Sequence, residues 1–234
     1  MRTTRPTVYL FDIDGTLIST GGAGRRAMEG AFRDVHGAAG PAALTFSYAG
    51  MTDRAIVRAG LLGLEHHLPD AAAIDRVLER YLARVGDEIL RTTTYVVHPG
   101  VTGILAWLRE LPKIALGLGT GNVKRGAYAK LARGALDAPF AFGGFGCDAE
   151  DRTELLRVGA GRGASALGVP LADCRVVVIG DTPKDVAAAR GIGAECIGVG
   201  TGGFAPAALR DLGAQNAFAT LEEDGVREAL FSEA

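Results

Sequence analysis

The 234-residue sequence has few of the features that mark several large classes of protein. Its three cysteines, Cys147, Cys174 and Cys196, are widely spaced and form no C-x-x-C pair. An odd count without a pairing pattern is typical of a reducing compartment, so we expect a cytoplasmic protein. Lys and Arg number 25 against 27 Asp and Glu, a formal charge of −2. This near balance gives no broad basic field, and we expect no nucleic-acid partner.

Long apolar runs are also missing. None reaches the length of a membrane span, and residues 1–6 lack the apolar core of a signal peptide, so we expect no membrane partner. Hydrophobic residues make up 48% of the chain and charged residues 22%, as in ordinary soluble globular proteins. The length suffices for one α/β domain with an insertion.

The most informative stretch is an apolar run, residues 7–11, that ends in two carboxylates, Asp12 and Asp14, before a Gly-Thr turn. The run predicts a buried strand, and its end predicts a site at the carboxyl edge of a sheet, where open α/β folds keep their active sites. Two like charges 4 Å apart repel by roughly 4 kcal/mol at an effective dielectric constant near 20. A bound divalent cation or a shared proton would offset that repulsion, so we expect chemistry there.

Strand and helix patterns alternate along the rest of the chain after residue 100. The predicted strands cover residues 114–119, 175–179 and 195–199, with weaker candidates at 140–145 and 217–219. The predicted helices cover residues 101–110, 122–134, 153–167, 184–190 and 205–212. This alternation predicts an α/β fold with a parallel sheet covered on both faces. We expect the helix at 153–167 to be weak, because it contains several glycines between residues 159 and 163.

Residues 22–96 break this alternation. The segments 24–35, 54–62 and 71–91 are amphipathic, and no convincing buried strand lies among them. In the last segment, apolar residues recur every three or four positions from Ile74 to Ile89, as on one face of a helix. We therefore interpret residues 21–96 as an all-helical insertion into a sheet domain made of residues 1–20 and 97–234.

Two further strand ends carry polar residues. The strand at 114–119 is followed by Thr120, Gly121 and Asn122, which can aim a hydroxyl and backbone N–H groups at an anion. The strand at 175–179 leads to Asp181 and, four residues later, Asp185. A cation is also expected at this sheet edge; the candidates are Arg152 first and Lys184 second.

In order and separation, these motifs resemble those of the haloacid dehalogenase superfamily of phosphohydrolases across essentially the whole chain. They are Asp12-x-Asp14-Gly15-Thr16, the strand-terminal Thr120, and Gly180-Asp181-Thr182-Pro183-x-Asp185. The resemblance implies a Rossmann-like core with a helical cap inserted after the first motif, and residues 46–53 resemble the cap loop of the phosphoglycolate-phosphatase-like branch. One motif differs from the family pattern, because Arg152 stands where the family usually has Lys. An Arg keeps the charge and adds a bidentate fork.

The resemblance also implies roles. Asp12 would be the nucleophile that takes a phosphoryl group, and Asp14 the acid and base. Mg²⁺ would be held by the Asp12 carboxylate, the Asp14 backbone carbonyl and Asp181, with Asp185 in support. Thr120, Gly121, Asn122 and Arg152 would hold the phosphoryl oxygens. Thr52, Asp53 and Arg54 would contact the substrate, although these residues would equally well begin a helix.

The residues and this resemblance therefore predict a Mg²⁺-dependent phosphatase that cleaves a small phosphate monoester through an aspartyl-phosphate, and the resemblance suggests a phosphoglycolate-like substrate. The partner would be a small phosphorylated metabolite, and the enzyme a monomer or homodimer. A sugar-phosphate mutase, a 2-haloacid dehalogenase and a non-enzymatic binding module of the same fold remain alternatives. The glycine-rich stretch 198–203 also matches the dinucleotide-binding pattern, although only 31 residues follow it.

Overall fold

The computed structural model describes residues 5–232. Residues 1–4 and 233–234, the two ends of the predicted sheet domain (residues 1–20 and 97–234), lie outside the described residues. Within that range the chain forms eight strands: β1 (Thr7–Phe11), β2 (Ile18–Ser19), β3 (Val96–Val97), β4 (Ile114–Thr120), β5 (Phe142–Phe145), β6 (Arg175–Gly180), β7 (Glu195–Val199) and β8 (Asn216–Phe218). Six of them form one parallel sheet in the order β5-β4-β1-β6-β7-β8. All five strands predicted beyond β1 are thereby confirmed.

Ten α-helices lie in the same range. They are α1 (Ala23–His36), α2 (Ala39–Ala42), α3 (Asp53–Glu65), α4 (Ala71–Arg91), α5 (Val101–Arg109), α6 (Lys124–Ala132), α7 (Arg152–Leu167), α8 (Pro183–Gly191), α9 (Pro206–Asp211) and α10 (Val226–Phe231). None of the helices within residues 5–232 has both the length and the apolar character that a bilayer crossing needs.

The sheet is covered on both faces, and its strand β1 is buried at every position. Successive side chains of a strand point to opposite faces. Tyr9 and Phe11 pack with residues of α5, α6 and α10, whereas Val8 and Leu10 pack with residues of α7 and α8. All four side chains are fully buried. The predicted α/β fold class is confirmed.

Helix α7 runs unbroken through the glycines that predicted a weak helix. Gly159 lies directly against β5: a Cβ atom there would come 2.8 Å from the backbone nitrogen of Gly144. The glycine thus permits close packing of helix on sheet, which compensates for its poor helix propensity.

Helices α1, α3 and α4 form a hydrophobic cluster of their own. The predicted face of α4 is buried, from Ile74 and Val77 to Val85 and Ile89, and α4 has the predicted bounds of 71–91. The chain enters and leaves this helical insertion (residues 21–96) through a short ribbon in which β2 pairs antiparallel with β3. The ribbon was not predicted, because two-residue strands carry no periodicity.

The helical insertion also touches the sheet edge through a set of hydrogen bonds that we call the clasp. The Asp53 N–H donates to the Gly121 carbonyl at 2.8 Å, and the Val123 N–H donates to Asp53 Oδ2 at 2.8 Å. The Thr52 hydroxyl donates to the Glu150 carbonyl at 3.1 Å, and Arg58 pairs with the Glu150 carboxylate at 2.8 Å. The clasp therefore places the start of α3 beside the ends of β4 and β5.

Candidate active site

Three buried carboxylates meet where β1 and β6 end. Asp12 follows β1, Asp181 follows β6, and Asp185 lies in the first turn of α8. One carboxylate oxygen from each lies within 4.8 Å of the others. The side chains are buried, with 4%, 2% and 0% of each residue exposed. The adjacency of β1 and β6 in the sheet explains why residues 169 positions apart share one site.

Burial makes this cluster reluctant to ionise. It raises the pKa of Asp12 to about 6, with Arg152 acting in the opposite direction and the neighbouring carboxylates adding to the rise. Burial, followed by repulsion from Asp12 and Asp185, raises the pKa of Asp181 to about 8. Crowded buried carboxylates need a compensating cation or a proton.

Arg152 supplies part of that compensation from the first turn of α7. Its guanidinium contacts the Asp185 carboxylate, and Nη2 lies 3.5 Å from Asp12 Oδ2. Burial alone would lower the pKa of Arg152, but Asp185 and Asp12 raise it above its usual range. Its Nε is buried without a hydrogen-bond partner in the described structure. One cation faces three carboxylates here, which leaves an excess of acidic groups.

The local sequence holds Asp181 and Asp185 in place. The Thr16 hydroxyl donates to Asp181 Oδ1 at 2.8 Å. Thr182 begins α8 with a reciprocal cap in which its own N–H and hydroxyl donate to Asp185 Oδ2. Gly15 has a φ of +88°, and a Cβ atom there would lie 2.4 Å from Asp181 Oδ2, so the turn after Asp14 requires glycine.

Asp14 has different surroundings, and its main partner was not predicted. Nζ of Lys130, in α6, lies 2.6 Å from Asp14 Oδ2. Asn122 Nδ2 donates to the same oxygen at 2.8 Å. The Asp14 side chain is 42% exposed, whereas the Lys130 side chain is only 6% exposed. No sequence pattern predicted that Lys130 would be buried beside Asp14, because a lysine in an amphipathic helix ordinarily faces solvent.

Thr120 is fully buried at the end of β4. Its hydroxyl oxygen accepts from Asn122 Nδ2 at 2.8 Å and from the Asn122 N–H at 3.3 Å. With both acceptor positions used, the hydroxyl proton remains for donation to a further acceptor.

The carboxylates open into a cavity of about 380 Å³ between the sheet edge and the helical insertion. Asp12, Asp14, Gly121, Asn122, Arg152 and Asp181 line its sheet side, and Arg25, Met28, Tyr48, Met51, Asp53 and Tyr81 line its helical side. The sequence pointed to these sheet-side residues and, on the helical side, to Tyr48, Met51 and Asp53 of the loop at 46–53, but not to Arg25, Met28 or Tyr81.

Several expected residues lie outside that lining. Arg54 points to Asp75, with which it pairs at 2.6 Å. Thr52 caps α3 and joins the clasp. Lys184 lies beside Gly50 and forms no salt bridge with any described carboxylate, whereas Arg152 reaches Asp12 and Asp185. Of the two candidate cations, the geometry therefore favours Arg152.

The glycine-rich stretch 198–203 belongs to this site as well. It follows β7 as a short turn, and the Thr201 hydroxyl donates to the Gly15 carbonyl. Thr201 and Gly202 line the cavity. The loop thus buttresses the turn after Asp14, a contact that the dinucleotide pattern did not anticipate.

The chain belongs to the haloacid dehalogenase-like hydrolases: the model of that family matches residues 6–193. The predicted family is confirmed. No relative among curated proteins matches the chain significantly.

Solved structures share the fold at low identity. A hydrolase from Pseudomonas syringae is 20% identical, with a TM-score of 0.69 over 97% of this chain and 100% of the other. A predicted phosphoglycolate phosphatase from Haemophilus somnus is 14% identical, with a TM-score of 0.67 over 97% and 98%. A mutant of CbbY from Rhodobacter sphaeroides, in complex with xylulose-(1,5)bisphosphate, is 19% identical, with a TM-score of 0.67 over 93% and 96%.

Proposed function

We propose that this hydrolase is a Mg²⁺-dependent phosphatase that cleaves small phosphate monoesters through an aspartyl-phosphate on Asp12. The observation that carries the proposal is the convergence of three buried carboxylates and Arg152 beside one cavity, which Asp12, Asp181 and Arg152 line. Such a site offers a nucleophile, a place for a divalent cation and a cation for phosphoryl oxygens. Two proteins of similar structure are described as predicted phosphatases, which supports a phosphatase function here.

The donor set fits Mg²⁺. Asp12, Asp181 and Asp185 provide hard oxygen ligands, and their negative charge exceeds what Arg152 balances. Asp12 and Asp181 would ligate directly, together with the Asp14 backbone carbonyl, and Asp185 would support them. Bound there, the ion would supply the positive charge that lets two anions, carboxylate and phosphate, approach each other.

Asp12 is the proposed nucleophile because it lines the cavity while Asp185 does not. One Asp12 oxygen forms a bond to phosphorus, and the bond from phosphorus to the ester oxygen breaks. Asp14 gives a proton to the leaving alkoxide. Asp14 then takes a proton from water as that water attacks phosphorus, which releases phosphate and restores the Asp12 carboxylate.

The phosphoryl oxygens need donors around the attacking carboxylate. Arg152, the Thr120 hydroxyl, and the N–H groups of Gly121 and Asn122 are the proposed donors. The free proton of Thr120, with its oxygen already accepting from Asn122, supports this role. Preorganised donors of this kind each contribute about 10²–10³ to the rate of comparable reactions.

The helical insertion would act as a cap domain, residues 21–96, over a Rossmann-like core, residues 1–20 and 97–234. The clasp and the cavity wall formed by Tyr48 and Tyr81 support this proposal. Closure would exclude water other than the molecule that Asp14 activates. Of the proposed substrate contacts in the insertion, Asp53 lines the cavity.

The substrate would be a small phosphorylated metabolite. Phosphoglycolate is one candidate, suggested by the Haemophilus somnus relative. A mutase remains an alternative, since CbbY was solved with a sugar bisphosphate. A dehalogenase would have no need of the Asp14 and metal functions. A cytoplasmic location and a monomeric or homodimeric state stay predictions.

The test is a phosphate-release assay over a panel of metabolite monoesters, with Mg²⁺ and with EDTA. We expect turnover that EDTA abolishes and Mg²⁺ restores, and a loss of at least ~10⁴-fold in Asp12→Asn. Asp211→Asn, the same exchange at an exposed position at the end of α9 outside the cavity lining, serves as a folded control. Activity that survives EDTA, or survives in Asp12→Asn, would refute the proposal; release requiring an added sugar bisphosphate would favour the mutase.

A further inference from the structure

Lys130 is a buried lysine that the mechanism above does not use. It lies in the last turn of α6, and only 5% of the residue is exposed. Burying an ammonium is costly unless it is paired and hydrogen-bonded. Its Nζ has two such partners, Asp14 Oδ2 and Asn122 Oδ1, each at 2.6 Å. The arrangement satisfies Lys130 through two residues of the active site.

The contact with Asn122 fixes the direction of that side-chain amide. An ammonium only donates, so the Asn122 oxygen must face Lys130. The Asn122 amino group then faces Asp14 Oδ2 and Thr120 Oγ1, each at 2.8 Å. Without the lysine, the Asn122 oxygen loses this donor, and the amide is free to turn once the Asp14 carboxylate moves away from its amino group. Lys130 therefore orients Asp14 directly and again through Asn122.

The helical insertion closes around the same ammonium. A Cβ atom on Gly24, in α1, would lie 3.3 Å from Lys130 Nζ. Tyr81 and Asp53, from α4 and α3, also interact electrostatically with Lys130. Gly24, Tyr81, Asp53, Asp14 and Lys130 all line the cavity. The ammonium thus lies where the sheet domain and the insertion meet.

We propose that Lys130 is a positioning residue that holds the Asp14 carboxylate, directly and through Asn122, at the place where it exchanges a proton with the leaving group. This inference rests on the proposed function of Asp14. It predicts that Lys130 acts on catalysis only while Asp14 can act. It also predicts that the Asp14 side chain moves when the ammonium is removed.

The kinetic test is a double-mutant cycle with Lys130→Met, Asp14→Asn and the double variant. We expect Lys130→Met to lower kcat on an alkyl phosphate about 10–100-fold with KM within about twofold. We expect the double variant to be no slower than Asp14→Asn, because both changes disable one function. Losses that multiply, or a loss confined to KM, would overturn the proposal. Lys124→Met, at the exposed start of the same helix, is the matched control.

Two further variants, Lys130→Arg and Lys130→Gln, test whether the loss of kcat comes from the missing charge or from a general disturbance of the fold. An arginine keeps the charge, and we expect it to recover a measurable part of the lost kcat. A glutamine keeps a polar end without the charge and should recover less. Equal recovery by both variants would contradict the proposal. Thermal unfolding of each variant shows whether it is folded, and the glutamine variant replaces the methionine variant in the cycle if the latter does not fold.

A crystal structure of the Lys130 variant provides a readout that needs no activity. We expect the Asp14 carboxylate to leave its present position, and the Asn122 amide to turn. An Asp14 side chain that stays in place would refute the positioning role, even if the enzyme were inactive on every phosphate ester. Conversely, a displaced Asp14 in a protein that hydrolyses no phosphate ester would refute the proposed function and leave the positioning contact established.

Discussion

Asp12 and Asp14 are two residues apart on the same strand end, yet they have opposite surroundings. Asp12 is buried with two further carboxylates and shares Arg152 with Asp185. The Asp14 side chain is 42% exposed, and its Oδ2 contacts both the Lys130 ammonium and the Asn122 amide. The difference teaches that neighbours, not residue type, decide what a carboxylate does. The cluster around Asp12 has more carboxylates than cations, whereas the Asp14 carboxylate is balanced by the Lys130 ammonium.

This contrast has a consequence for stability. A cluster with excess negative charge is strained until a cation binds, because burial raises the pKa of Asp12 and Asp181. A balanced pair stabilises the fold only while both members are present. Removing charge from the two groups should therefore have opposite effects on the free energy of unfolding.

Among the variants that test this comparison, the largest effect is expected from Arg152→Met, because it removes a cation that contacts both Asp12 and Asp185. We expect kcat to fall by about 10³-fold and the free energy of unfolding to fall by about 3–5 kcal/mol. Phosphate release and urea unfolding measure the two quantities. Arg152→Lys keeps the charge without the fork and should lose less of both. A lysine variant as damaged as the methionine variant would show that charge is not the important property.

The next pair of variants tests the opposite signs directly. Asp14→Asn leaves Lys130 without its carboxylate and should lower the free energy of unfolding by about 1–3 kcal/mol, a value reduced by the exposure of Asp14. Asp181→Asn removes a repulsive charge and should raise it by about 1–4 kcal/mol at pH 9 without metal, the repulsion of unit charges 4 Å apart. Chemical unfolding in EDTA measures both. Effects of the same sign would contradict the comparison.

Asp53 extends the comparison to the clasp. Burial raises its pKa to about 6, so the folded protein binds more protons than the unfolded chain between about pH 4 and pH 6. Stability contributed by this group is therefore full below pH 4 and decreases as pH rises to about 6. The difference in free energy of unfolding between wild type and Asp53→Asn should fall by about 3 kcal/mol across that window. Unfolding curves at pH 4 and pH 8 measure it; a pH-independent difference would refute the burial of this carboxyl.

The smallest effect is expected at Arg54, whose partner Asp75 is 57% exposed and which lies outside the cavity lining. Arg54→Ala should change stability by less than about 0.5 kcal/mol and KM by less than about twofold. A larger rise in KM would restore Arg54 as a substrate contact and widen the site toward α3.

The residues that follow strands could be predicted from the sequence, because strand ends in a parallel sheet meet at one edge. Asp12, Asp181 and Thr120 were found in this way, and the shared edge brought them together as expected. Arg152 could be placed because it begins a helix next to that edge.

Lys130 and the clasp could not be predicted for a common physical reason. Each depends on how a helix from one region packs against another region, and that choice leaves no local pattern in either segment. Lys130 sits in a helix whose composition suggests an exposed lysine, and only the position of Asp14, 116 residues away, gives it a buried partner. The pairing of β2 with β3 is similarly invisible, since each strand has two residues.

The ribbon of β2 and β3 attaches the four inserted helices, α1 to α4, to the rest of the chain. Ile18 pairs with Val97 and Ser19 with Val96, so the two ends of the insertion lie side by side. A two-residue hairpin turn joining Ser19 to Val96 would replace the whole insertion without altering any strand order of the main sheet. A change in the length or number of the inserted helices at this junction would therefore leave the strands that carry Asp12 and Asp181 in the same order.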